Sequence, residues 1–163
     1  MCWSPTGSIL WMTTGMGTVE VYTWPGPQQL VTVKAHTAGC YAIDVDPTRQ
    51  ELAVGGADTL VSLWDTNDYT CLRSLSRFDR PVRVVRFSRG GAFLATGSED
   101  HFIDVSDTST GACVSKIITG TATNSLAWSP SDYLLAYVGD TQPTEHDRSA
   151  RNAIRIWGVP AGS

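Results

Sequence analysis

The feature that most constrains this chain is a spacing. Short segments pairing an aromatic or apolar residue with Ser or Asp recur at Trp3-Ser4-Pro5, Val45-Asp46-Pro47, Phe87-Ser88-Arg89 and Trp128-Ser129-Pro130. Their first residues are 42, 42 and 41 positions apart. A polar turn and an apolar run follow each one: Ser8 to Met12, Glu51 to Val54, Ala92 to Ala95 and Tyr133 to Val138. Small residues come next, as in Gly55-Gly56-Ala57-Asp58 and Gly97-Ser98-Glu99-Asp100. A second run closes each unit: Thr18 to Tyr22, Leu60 to Asp65, Phe102 to Asp107 and Ala153 to Trp157. A fixed period of this length marks a repeat architecture, in which each unit is one supersecondary element stacked on the next.

Each unit reads as four short strands, which in the second unit are residues 41–46, 51–56, 60–65 and 71–76. β-Branched and aromatic residues fill the runs, and Asp-Pro, Gly-Gly and Thr-Asn-Asp mark the turns. No helical periodicity with caps is present. The fold class expected is all-β: a WD-type propeller segment of about four blades, in units of roughly 1–36, 37–78, 79–120 and 121–163. Val82 to Phe87 is apolar on both sides, as expected of a strand with a blade on each face. The first unit begins inside its first strand and the last ends after its third, so an arc lacking upstream blades is expected rather than a closed ring.

Hydrophobic residues make up 42% of the 163 residues and charged residues only 17%, which argues against disorder. The net charge of −4 provides no global attraction to nucleic acid or anionic membrane. The N-terminus lacks the basic and apolar regions of a secretory signal, and no apolar run approaches the length of a spanning helix. Cys2, Cys40, Cys71 and Cys113 form no C-x-x-C pair, so no metal knuckle is expected and a reducing compartment is.

Three residue types are expected to hold a blade together: a His before the first strand, an Asp in the turn after the second, and a Trp on the third. His36, Asp58 and Trp64 supply that set in the second unit, with Asp65 completing the one intact Trp-Asp pair. A strand-two hydroxyl is missing, because Val54, Gly55 and Gly56 occupy that stretch. The third unit keeps Asp100 and Asp107 but has Phe78 and Ser106 at the His and Trp positions, and Trp157 is the counterpart in the last unit.

Other residues are candidates for chemistry or contact. Asp44-Val45-Asp46-Pro47-Thr48 matches the D-x-D-x-T pattern of Mg²⁺-dependent phosphatases that use an aspartate nucleophile. The equivalent turns of the other units lack the paired acids, and no crossover helix follows, so a capped β-turn is the expected role. Arg73, Arg77, Arg80, Arg83, Arg86 and Arg89 are half of the twelve bases and form the one basic stripe. Strand alternation aims Arg83 and Arg86 in opposite directions, and few aromatics accompany them, which favours an acidic protein partner over RNA and leaves solvation or pairing within the chain as the stripe's other role. Arg77, Arg80, His101 and the apolar loop at Trp24 are the candidate partner surface; His146 lies in a long polar insertion, 140–152.

The runs Asp58 to Asp65 (DTLVSLWD), Cys71 to Arg77 (CLRSLSR), Arg80 to Phe87 and Ser98 to Val105 (SEDHFIDV) resemble the family of WD-repeat subunits of the THO complex, the Tex1 homologues. Ala127-Trp128-Ser129-Pro130, Leu134-Leu135-Ala136 and Ile154 to Pro160 follow in the family's order. The resemblance covers nearly the whole chain and corresponds to the C-terminal part of that family's propeller. It implies a non-enzymatic nuclear scaffold without catalytic residues, metal, cofactor or small-molecule substrate. Its partners would be the large helical scaffold subunits of the transcription–export assembly. Messenger RNA, a DEAD-box helicase and an export adaptor would be engaged indirectly, and no membrane. The generic WD signals alone leave open an adaptor in signalling or ubiquitin ligation.

Overall fold

The computed structural model describes residues 1–46, 48, 50–139 and 154–159. Their strands form four antiparallel sheets in chain order. The first holds β1 (Cys2–Trp3), β2 (Ile9–Thr13), β3 (Thr18–Thr23) and β4 (Gln29–Lys34), and the second β5 (Cys40–Asp46), β6 (Glu51–Gly56), β7 (Val61–Asp65) and β8 (Cys71–Leu75). The third holds β9 (Val82–Phe87), β10 (Phe93–Ser98), β11 (Phe102–Asp107) and β12 (Cys113–Ile118). The fourth holds β13 (Thr123–Trp128), β14 (Leu134–Gly139) and β15 (Arg155–Gly158). Among the described residues the one helical element is a three-residue 3₁₀ turn, Arg89–Gly91.

The recurring Ser and Asp residues have a mechanical role. The Ser4 hydroxyl accepts the Ile9 amide at 3.0 Å, and the Ser88 hydroxyl accepts the Phe93 amide at 2.9 Å. Asp46 does related work, accepting the Thr48 amide at 2.9 Å and hydroxyl at 2.8 Å. Each repeat marker is thus a side chain that closes the turn between a blade's first two strands. At the far end of the unit, Asp65 accepts the Asn67 amide at 2.6 Å, and Asp107 accepts the Thr110 amide at 2.8 Å. These two acids close the turn into the fourth strand.

The second and third sheets are apolar on both faces because each is sandwiched between two neighbours, whereas the first and fourth each pack on one. Trp11, Val19 and Val21 of the first sheet pack against Cys40, Ile43, Leu52 and Val54 of the second. Ala53, Leu63 and Leu75 face the other way, against Val82, Val85, Phe87 and Leu94 of the third. Ala95, Ile103, Val105 and Ile117 then meet Leu126 and Leu135 of the fourth. Adjacent residues such as Val54 and Ala53, or Leu94 and Ala95, belong to different interfaces, as a period of two requires. Burial of apolar area on both faces is the main stabilising term. Gly55 and Gly97, 42 apart, both face the next blade's inner strand, at Val82 and Thr123 respectively. A Cβ at Gly97 would lie 2.8 Å from the Val84 side chain and 2.9 Å from that of Thr123.

Polar bonds also cross between blades. The Asp44 carboxylate accepts the Phe87 amide at 2.8 Å, and the Trp128 indole donates to the Arg86 carbonyl at 3.0 Å. Arg73 donates to the carbonyls of Thr108 and Ser109 at 2.7 and 2.8 Å.

Strand β9 departs from strict alternation. Its pairing with β10 shifts register between Gly97 and Ser98, a bulge that leaves Arg83 without a ladder partner; Arg83 and Arg86 are both exposed on a strand otherwise buried. No described helix is long and apolar enough to cross a membrane.

Candidate functional site

The loops at the upper ends of the blades are fixed by two different polar devices. In the second blade, the Trp64 indole donates to the Ser62 hydroxyl at 2.7 Å. Ser62 Oγ lies 2.9 Å from His36 Nε2, and His36 Nδ1 lies 2.7 Å from Asp58 Oδ1. Asp58 Oδ2 accepts the Thr37 amide at 2.9 Å and the Thr37 hydroxyl at 3.1 Å. Burial pushes the Asp58 pKa up, but the Thr37 amide and the His36 ring outweigh it and hold the carboxyl below the usual range. The hydroxyl that strand two lacks is therefore present, contributed by strand three. Ser62 and Trp64 are two apart on one strand and share a face, a proximity legible in the sequence once the hydroxyl is sought there.

The third blade replaces that chain. Phe78, at the His position, is buried and stacks on Phe102 with ring centroids 4.9 Å apart. Asp104, 42 residues after Ser62, is 2% exposed, yet it carries a carboxylate. Arg77 balances it, donating from Nη1 to Asp104 Oδ2 at 3.0 Å and to Ser106 Oγ at 2.9 Å, and from Nη2 to the Gly111 carbonyl. Ser106 also donates to Asp104. Arg77, expected at a partner surface, thus turns its guanidinium inward. The buried acid within the apolar run Phe102 to Val105 was the sequence signal for a compensating cation.

Asp100 keeps its turn. Its Oδ2 accepts the amides of Asp79 and Arg80 at 3.0 and 3.1 Å and the Ser98 hydroxyl at 3.1 Å. The Glu99 amide adds a bond to the Pro81 carbonyl at 3.1 Å, and the His101 carbonyl accepts the Thr119 amide at 3.0 Å. The loops 79–81 and 119–120 are both tied to the turn at 98–101. Between them opens a groove of about 750 Å³ lined by Arg80, Arg83, Glu99 and His101, with residues 120–122 and Asn124 opposite. Arg83 is committed within it, bonded to Glu99 and lying 4.4 Å over the Tyr41 ring. Arg80 and His101 are exposed, and the Arg80 guanidinium has no partner among the described residues.

The other candidates lie apart from this groove. Trp24 is 50% exposed and meets Trp3 edge-on at 5.7 Å. Trp157 packs half-buried against the core between the third and fourth blades. Asp44 and Asp46 do not form an open carboxylate pair: Asp44 holds the Phe87 amide and Asp46 is fully buried. Burial pushes the Asp44 carboxyl upward. No His, Cys, Asp or Glu cluster among the described residues has metal-binding geometry. His146 and the insertion 140–152 lie outside the described residues, as do Arg148 and Arg151.

Residues 27–65 and 69–105 each match the family described as WD domain, G-beta repeat. The chain carries WD repeats. Each matched WD repeat begins at or near the outer strand of one blade and runs into the third strand of the next, the offset seen between β4 and β7 and between β8 and β11. Among its relatives, the WD-repeat chain is 43% identical to THO complex subunit 3 of Arabidopsis thaliana over 158 residues, 97% of this chain and 50% of that protein. It is 32% identical to WD repeat-containing protein AAC3 of Dictyostelium discoideum over 96% of this chain and 33% of that one. It thus spans between a third and a half of the length of these relatives. A chain in a crystal structure titled mitotic checkpoint complex superposes with a TM-score of 0.82 at 22% identity, over 98% of this chain and 49% of that one. That likeness shows the fold.

Proposed function

We propose that this WD-repeat chain is a non-catalytic scaffold subunit of the THO complex, acting in the nucleus in the packaging and export of messenger RNA through protein–protein contacts. The observation that carries the reading is the 43% identity to THO complex subunit 3 over 97% of the chain. The residues supply a physical reason for a scaffold. Polar side chains singled out by the repeat, such as Asp58, Asp65, Asp100 and Asp107, accept backbone amides and hold loops. The paired acids Asp44 and Asp46 are likewise engaged in turn and inter-blade bonds. Rigid sheets with fixed loops suit a docking platform. The large helical subunits of the complex are the direct partners in this reading, with the DEAD-box helicase, export adaptor and RNA reached through them. Affinity purification of the tagged chain from nuclear extract, followed by mass spectrometry, tests it. The large helical THO subunits should be enriched; recovery of ubiquitin-ligase or signalling components in their place would reverse the assignment.

A further inference from the structure

The groove between the third and fourth blades has a chemistry that the scaffold role does not by itself require. Its walls are fixed by backbone. Asp100 pins the amides of Asp79 and Arg80, the His101 carbonyl holds Thr119, and Arg155 donates to the Thr119 carbonyl at 3.1 Å. Arg77, anchored on buried Asp104, secures the start of the same loop. Yet the Arg80 side chain, carried on this clamped backbone, has no described partner. Of the described cations lining the groove, Arg83 is neutralised by Glu99, and Arg80 has no ion-pair partner among the described residues. An exposed imidazole, His101, stands at the same groove.

We propose that this groove binds an acidic segment of a partner protein, a Glu or Asp carboxylate being held by the Arg80 guanidinium and the His101 imidazole. Arg80 presents a planar fork suited to a carboxylate, on a backbone already ordered, so little conformational freedom is lost on binding. The volume of about 750 Å³ accommodates a few side chains of a peptide. RNA fits the lining less well. Among the described residues, one unpaired arginine beside the Glu99 carboxylate neutralises few phosphates, and no Phe, Tyr or Trp lines the groove to stack a base. The inference stands on the groove alone and does not depend on which assembly the chain joins.

The test uses the whole chain and fluorescence anisotropy at low salt. The probes are an array of fluorescein-labelled Glu- and Asp-rich peptides and a fluorescein-labelled oligouridylate. Peptides in the array should bind, and Arg80→Glu should weaken them about tenfold, as loss of a desolvated charge pair does. His101→Ala should weaken them by a smaller factor. Lys34→Glu, the same charge change on the first blade, should leave binding unaltered. Failure of every peptide to bind would overturn the proposal. So would equal losses in Arg80→Glu and Lys34→Glu, which would reduce the effect to net charge. Binding of oligouridylate that Arg80→Glu abolishes, without peptide binding, would assign the groove to RNA.

Discussion

A single hydroxyl decides how the second blade holds its loops. Ser62 sits between the Trp64 indole at 2.7 Å and the His36 ring at 2.9 Å, and it is 4% exposed. Ser62→Ala would leave the half-buried Trp64 indole N–H and the buried His36 ring without their shared partner while creating almost no cavity. The expected loss is about 1–3 kcal/mol, the desolvation penalty of an unsatisfied group, read as a lower urea midpoint with an unchanged slope. An unaltered midpoint would mean that the chain from Trp64 to Asp58 contributes nothing net. The residues of this chain are legible in the sequence as His36, Asp58 and Trp64; the hydroxyl is not, because the repeat pattern places it on strand two and the chain carries it on strand three. The third blade's substitute was less legible still. Arg77 and Asp104 are 27 residues apart, and only the fold shows that a loop cation meets a strand carboxylate there. A charge stripe in sequence carries no sign of which members turn inward.

At the scale of strands and sheets, the period predicted nearly everything in the second unit. Strands expected at 41–46, 51–56, 60–65 and 71–76 are found at Cys40–Asp46, Glu51–Gly56, Val61–Asp65 and Cys71–Leu75. Alternation within each run and turn residues between runs suffice for that. The bulge in β9 escaped, since a register shift depends on the neighbouring strand and leaves no mark in a run such as Val82 to Phe87. Blade spacing is also an element property, and Gly97 reports on it. Gly97→Val would drive a branched side chain into Val84 of its own blade and into Thr123 across the boundary with the fourth blade. The expected loss is about 1–3 kcal/mol from overpacking, with Gly97→Ala costing less, in equilibrium denaturation. A neutral Gly97→Val would show that the third and fourth blades are not in the contact described.

Across the whole molecule, the sheets are occupied with one another and the loops are left to meet partners. Large apolar side chains remain exposed on the first and fourth blades, including Leu30 at 55%, Leu134 at 43% and Ile156 at 71%. The net charge of −4 offers no general field for RNA, so recognition must come from local features such as Arg80. The most direct test of the scaffold account is hydrogen–deuterium exchange on the chain, free and mixed with the purified large helical subunits of the THO complex. The account predicts that β5, β6, β9 and β10 are already protected in the free chain and unchanged by the partner, while new protection appears in loop segments, including 79–81, 99–101 and 119–122. Exchange that is identical with and without those subunits, at every peptide, would contradict it.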